Sequence, residues 1–142
     1  MKALTISEPW ASLIASGEKW IENRTWETSY RGPLVIHSGK GIQYMTRKEL
    51  DRDYPNSGCV LATCDLVTCV NLECPSVKST AELQSVGLSV LDIRGHKHTE
   101  GPVAWVLSGI RKVAEPFPMK GRQGLWQMTR EELAANVDKL AF

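Results

Sequence analysis

At 142 residues and 15.8 kDa the chain suits one ordinary domain around a closed core, residues 1–142, and is too short for two domains and a linker. Its 42% hydrophobic and 23% charged residues exclude a disordered chain, and no stretch approaches the roughly 20 apolar residues of a membrane helix. A net charge of +1 excludes a basic coat that binds polyanions indiscriminately, so any recognition of nucleic acid must rest on local charge.

Charge is in fact uneven along the chain. Seven Lys/Arg face four acids from Met1 to Lys48, four face eight from Glu49 to Glu100, and six face four from Gly101 to Phe142. If the two ends fold together, a modest positive patch stands opposite an acidic back; otherwise the charge is scattered and solvated. The opening Met1-Lys2-Ala3-Leu4-Thr5-Ile6 is interrupted by Ser7, Glu8 and Pro9 before an apolar run long enough for export, which points to a cytoplasmic setting, or a nuclear one in a eukaryote.

Residues 2 to 6 read as a short strand. Ser7 is then placed to cap a helix from Glu8 to Ser16, with Glu8 near its positive end, Trp10, Leu13 and Ile14 on its buried face, and Gly17 to end it. Lys19 to Trp26 reads as a strand with Trp20, Glu22, Arg24 and Trp26 on one face and Lys19, Ile21, Asn23 and Thr25 on the other. After a turn at 30–33, Leu34-Val35-Ile36-His37 is a β-rich run ending in the loop Ser38-Gly39-Lys40-Gly41. Thr46 and Glu49 have capping-box spacing for a helix to about Arg52, and Pro55-Asn56-Ser57-Gly58 turns the chain into a strand from Cys59 to Asn71. Residues 75 to 101 carry weak signals, a helical turn at Thr80 to Val86 and then a loop rich in Gly and His. Val103 to Val113 is β-rich, Gly124 to Met128 is a short strand, and Thr129 with Glu132 opens a C-terminal helix over 129–140. Five or six strands with short peripheral helices and no internal repeat predict an α+β mixed β-barrel rather than a doubly wound sheet.

Cys59, Cys64, Cys69 and Cys74 recur every fifth residue, a spacing that invites a zinc site. On a strand, however, Cys59 and Cys64 lie roughly 16 Å apart on opposite faces, too far for one tetrahedral ion, and no C-x-x-C pair exists. Buried reduced thiols are therefore expected, with no metal. His96 and His98 either belong to an exposed loop or form a small metal site; Gly95 and the surrounding polarity favour the loop.

Glu8-Pro9-Trp10-Ala11-Ser12-Leu13-Ile14 is followed by Gly17-Glu18-Lys19-Trp20-Ile21-Glu22-Asn23-Arg24-Thr25-Trp26 and then by Arg31-Gly32-Pro33-Leu34-Val35-Ile36-His37. This succession resembles the signature of the ASCH (activating signal cointegrator homology) domain family, whose centre is Gly17-x-Lys19-x-x-Glu22-x-Arg24. Asp53-Tyr54-Pro55, Gly58-Cys59, Cys64-Asp65-Leu66, Phe117-Pro118-Met119-Lys120-Gly121 and Leu125-Trp126 extend the resemblance over about 2–128. It implies a PUA-like β-barrel with a cleft beside the first helix, lined by the Gly-x-Lys-x-x-Glu-x-Arg segment. It also implies binding of nucleic acid or a nucleotide, RNA or single-stranded or terminal DNA, without a cofactor.

Within that frame Lys19 either neutralises the carbonyls at the helix end or reaches into the cleft. Glu22 and Arg24 form a structural ion pair, or Arg24 offers its fork to a phosphate or base edge while Glu22 accepts from an exocyclic amine or orients Lys19. Of the five tryptophans, Trp26 and Trp126 are the candidates for stacking a base, with Trp10 and Gly17 shaping the cleft. His37, Ser38 and Lys40, and Lys120 with Arg122, are placed for phosphate contacts. The same resemblance brings a hydrolytic alternative, since similar small bacterial proteins deacylate acetylated cytidine and others cut RNA. In the deacylating relatives a Thr nucleophile follows the motif Lys by three residues; here that position is Glu22, which leaves Lys19 and Glu22 to activate a water. Thr25 lies about 20 Å from Lys19 along an extended strand.

Overall fold

A computed structural model describes residues 1–142. Six strands form one mixed sheet: β1 (Lys2–Ile6), β2 (Ile21–Arg24), β3 (Gly32–Ser38), β4 (Cys59–Asn71), β5 (Val103–Pro118) and β6 (Leu125–Gln127), in the spatial order β2-β5-β4-β3-β1-β6. Only the β1–β3 pair is parallel. The long β4–β5 ribbon shifts register at three places, between Val60 and Ala62, Thr63 and Asp65, and Leu66 and Thr68. Each bulge adds local twist, and together they curl the sheet into a half-barrel with β2 and β6 as its edges. The expected α+β barrel-like class is thus present, as an open curl.

Period-two alternation sorts the core onto both faces. Leu4, Leu34, Ile36, Leu66, Trp105 and Leu107 face the concave side, where helix α1 (Trp10–Ala15) lays Ala11 and Ile14 against them. Their neighbours along the same strands face outward in two groups. Ala3, Val35, Val60, Phe117 and Trp126 meet Leu133 and Leu140, and Ile21, Val70, Ala104 and Val106 meet Leu83 and Ile93.

Of the remaining helices, α2 (Arg47–Asp53) and α5 (Arg130–Asn136) start at the two expected capping boxes, Thr46/Glu49 and Thr129/Glu132. The C-terminal helix departs from expectation by changing to a 3-10 turn at Val137–Lys139.

Four further local expectations are corrected. The first helix begins at Trp10, and Ser7 does not cap it; the Glu8 carboxylate does, accepting from the Ser12 amide at 2.8 Å. The strand expected from Lys19 to Trp26 is only Ile21–Arg24, because the turn at Gly17 (φ +83°) carries the Lys19 amide back to the Leu13 carbonyl. The helical turn expected at Thr80 to Val86 is the helix α3 (Val77–Gln84), and the Gly- and His-rich loop expected after it holds a further helix, α4 (Val90–Gly95), with a Ser89/Asp92 capping box. Finally, β5 runs five residues past Val113.

The cysteines divide. Cys64 and Cys69 are buried, Cys59 is half-buried and Cys74 is exposed, so burial accounts for only part of the set. Burial pushes the Cys64 thiol up to about 12 and raises that of Cys69, which keeps both protonated and unreactive at neutral pH.

Candidate functional site

Two cavities open on either side of the C-terminal end of β1, with Thr5 and Ser7 lining both. The first, of about 330 Å³, is built on the turn between α1 and β2. Because Lys19 lies in that turn rather than on an extended strand, its side chain reaches forward along the chain to the opening residues of β2. Its Nζ donates to the Ile21 carbonyl and to Glu22 Oε1, the latter at 3.1 Å, and the residue is only 2% exposed. Glu22 Oε2 holds Arg24 Nη2 at 3.0 Å, and the same Arg24 nitrogen donates to the Thr5 carbonyl at 3.1 Å. The result is a cation–carboxylate–cation row in which each carboxylate oxygen holds one cation, and all three residues line the cavity.

The opposite wall comes from residues 98–101, which lie beyond α4 in sequence. Asn23 fastens them: its Nδ2 donates to the His98 carbonyl at 2.8 Å, and its Oδ1 accepts from the amides of Glu100 and Gly101. Lys97 adds an exposed ion pair with Glu18. The His98 ring then stands edge-on to Trp10, with centroids 6.3 Å apart, and Trp10 stands edge-on to Tyr44 at 5.7 Å. Tyr44 is 62% exposed at the mouth. Two buried polar atoms on residues of this cavity lack any partner, Arg24 Nε and His98 Nε2.

The second cavity, about 740 Å³, lies across Thr5 and is lined by His37, Lys40, Lys120 and Arg122 among glycines 39, 41, 58 and 121. His37 is 2% exposed and forms its floor. Trp126 Nε1 donates to Thr5 Oγ1 at 3.0 Å, and Thr5 Oγ1 lies 3.1 Å from His37 Nδ1. On the far side of the ring His37 Nε2 donates to the Met119 carbonyl at 2.6 Å. This arrangement uses the neutral imidazole, with Nδ1 left to accept the Thr5 hydroxyl.

Burial pushes the His37 pKa below its ordinary 6.5 and Arg122 acts in the same direction, against the pull of the Met119 and Gly58 carbonyls. The unfolded chain therefore takes up this proton first as pH falls. The stability His37 contributes is complete above about pH 6.5, and it is lost as pH drops from there through the folded value. Denaturation midpoints measured between pH 7.5 and 5.5 should accordingly fall with pH, by at most about 1.4 kcal/mol per unit for this one group. His37→Gln should flatten the dependence, although the half-buried His96, also shifted down by burial, leaves a residue of it.

The residues singled out from sequence thus separate. Trp10, Lys19, Glu22 and Arg24 meet at the first cavity, while His37, Lys40 and Lys120 meet at the second. Gly17 shapes the turn that aims Lys19 without lining either cavity. Ser38 is fully buried and donates to Glu8 Oε2 at 2.9 Å, so its hydroxyl is committed inside the protein. Trp126 is in the core, with Arg122 stacked 4.7 Å over it, and Trp26 packs edge-on to Trp105; neither lines a cavity. Thr25, just past the end of β2, also lines the first cavity, whose wall runs the length of that strand from Lys19. Thr5, Ser7, Tyr44 and His98 were not legible as site residues. Only the histidine pair, noted as a loop or a small metal site, hinted at one of them.

The model of the ASCH domain matches residues 4–117. Activating signal cointegrator 1 of Homo sapiens is 28% identical over 139 residues, an alignment that covers 88% of this chain and 22% of the relative. The Mus musculus protein of the same name gives the same figures. The chain therefore spans about a fifth of the length of the curated relatives it matches. Two crystal structures of ASCH from Zymomonas mobilis, one of them a single-residue mutant, superpose with TM-scores of 0.54 and 0.56. Both are 16% identical to this chain and cover 96% of it and 93–94% of themselves, a likeness that speaks to the fold.

Proposed function

The chain belongs to the ASCH domain family, and from that membership together with the first cavity we propose that it binds nucleic acid, seating one base in the cleft lined by Lys19, Glu22 and Arg24. The observation that carries this reading is the pair of unpartnered buried nitrogens, Arg24 Nε and His98 Nε2, on two residues that line a cavity of about 330 Å³. Buried polar atoms are nearly always satisfied, so two at one cavity mark where a polar ligand would supply the missing partners. The volume falls at the lower end of the roughly 300–1,000 Å³ range of small-molecule sites, which suits a single flat ring better than a large ligand. Tyr44 and Trp10 at the mouth offer aromatic surface on which a base can rest, a contact typically worth about 1–3 kcal/mol.

The commitments of Lys19 and Glu22 support binding over hydrolysis. The ammonium is held by a carbonyl and a carboxylate, and each carboxylate oxygen already holds a cation, so neither group is poised to take a proton from a water. Titration of short single-stranded RNA and DNA, followed by tyrosine and tryptophan fluorescence, tests the proposal. Arg24→Ala should weaken binding by about 10- to 150-fold, the usual worth of a charged hydrogen bond. Equal affinity in the variant and the wild type would remove the base cleft from consideration. Release of acetate from acetylated cytidine, or shortening of the RNA, in the same incubations would favour the hydrolytic reading instead.

A further inference from the structure

The two cavities differ in charge as sharply as they adjoin in space. The first carries Lys19 and Arg24 against Glu22 and Glu100, so its formal charges cancel. The second carries Lys40, Lys120 and Arg122 with no carboxylate among its lining residues, a formal +3. Resting on the reading of the first cavity as a base site, we infer that the second is its phosphate site. A single nucleic-acid strand then lies across Thr5 and Ser7, with a base on the side of Arg24 and the adjoining phosphodiester among Lys40, Lys120 and Arg122.

The walls suit an anion. Gly121 brings its loop so close to the His37 ring that a Cβ there would stand 2.9 Å from His37 Cε1 and 3.1 Å from Thr5 Oγ1. Gly39 is nearly as tight against Thr5, with a Cβ 3.2 Å from its methyl. At Gly58 a side chain would collide with the stem of Lys40. The glycines therefore let two loops close on β1 while keeping the lining mostly backbone. The amides of Lys40, Gly41, Lys120, Gly121, Arg122 and Gln123 donate to no protein acceptor, which leaves peptide N–H groups on both loops beside the three cations.

Arg122 gives the most direct pointer. Its Nη2 donates to Glu132 and its guanidinium stacks on Trp126, so the plane is fixed, yet its buried Nη1 has no partner. With one arm of the fork taken by Glu132, the unpartnered Nη1 leaves a charged donor that suits a single phosphate oxygen. Ser7, whose hydroxyl donates to Gln43 Oε1 at 3.1 Å, ties the Lys40 loop to the end of β1. That loop thus presents Lys40 to one cavity and Tyr44 to the other.

The double variant Lys40→Ala/Lys120→Ala provides the test, because both side chains are exposed and their removal leaves the core intact. Fluorescein-labelled single-stranded oligonucleotide, the free nucleosides and inorganic phosphate are titrated against wild type, the double variant and Arg24→Ala over a range of salt. The double variant should lower the slope of log K against log salt by about 1.4, so that a fourfold rise in salt costs it about 7-fold less affinity than it costs the wild type. Nucleoside affinity should stay unchanged in the double variant and fall in Arg24→Ala. If oligonucleotide binding falls only in Arg24→Ala and the lysine variant keeps the full salt slope, the phosphate site is overturned while the base cleft stands. If it falls only in the lysine variant, the base cleft fails and the two-part strand with it. Displacement of the oligonucleotide by inorganic phosphate at low millimolar concentration would assign the second cavity to free anions and also overturn the inference.

Discussion

Glu22→Gln is expected to destabilise the protein by about 3–5 kcal/mol, a large share of the roughly 5–15 kcal/mol that holds a domain together. The carboxylate is 9% exposed and separates two cations, Lys19 at 3% and Arg24 at 23%. Glutamine keeps the shape but carries no charge, and its amide nitrogen would face whichever cation its oxygen does not. Lys19 bears the consequence, since its enclosed ammonium would lose its counter-charge and be left with neutral acceptors, the Ile21 carbonyl among them. Removing that ammonium as well should restore part of the loss. Lys19→Met/Glu22→Gln is therefore expected to be more stable than Glu22→Gln alone, even though it carries one more substitution. Urea denaturation of the wild type, both single variants and the double variant measures the coupling. A cost below about 1 kcal/mol for Glu22→Gln, with no coupling, would mean that the row is solvated and that burial is not what gives it its energy. The same geometry explains the choice of Arg24→Ala for binding work. It takes away the most exposed member of the row and leaves the Lys19–Glu22 pair closed.

Trp105→Ala should cost about as much, 3–5 kcal/mol by the usual scale for buried aromatic truncations. Trp105 is completely buried on β5, opposite Glu22 on β2 and Cys69 on β4. Its ring packs edge-on to Trp26 at 4.8 Å, and its Nε1 donates to the Trp26 carbonyl at 3.0 Å. Since β2 is a four-residue edge strand paired only with β5, Trp105, opposite Glu22 in that pair and bonded to the Trp26 segment just beyond β2, helps hold the strand that carries Glu22 and Arg24. Ligand affinity should accordingly fall together with stability, whereas surface substitutions on β5 such as Lys112→Ala should alter neither. Trp105→Phe separates packing from hydrogen bonding: it keeps most of the ring area and leaves the Trp26 carbonyl without its donor, for about 1–2 kcal/mol. Denaturation midpoints of the two variants check this, and a loss under about 1.5 kcal/mol for Trp105→Ala would show that the core collapses to fill the gap.

What could be read from the sequence was what is decided locally. The Thr46/Glu49 and Thr129/Glu132 boxes, the Gly17 turn and the long strand from Cys59 to Asn71 each depend on residues within a few positions, and each is present. The Glu22–Arg24 pair was legible for the same reason, as two residues on one strand face, whereas Lys19, expected on the opposite face of that strand, was grouped with them only through the family resemblance. Ser89/Asp92 was overlooked because a box closed by Asp, amid glycine and histidine, looks like a loop. The end of β5 was misjudged because Arg111, Lys112 and Glu115 interrupt its alternation where the strand reaches the outside. The tryptophans show the limit most clearly. Nothing local distinguishes Trp126, enclosed by the pairing of β6 with β1, from Trp10 at a cavity wall; Tyr44 and His98 become site residues through contacts with Trp10 of helix α1 and, for His98, through Asn23 of β2.

Thr5 lies on the ridge between the cavities and receives its hydrogen bond from Trp126, 121 residues later. Its strand, β1, pairs with nothing nearer than residue 34 on one side and residue 125 on the other. β1 can therefore pair with β3 as soon as both strands exist, but its other edge stays open until β6 follows. The two cavities are thus completed at different points along the chain: the first takes no lining residue from beyond 101, whereas the second waits for residues 118–123 and the Trp126 bond to Thr5.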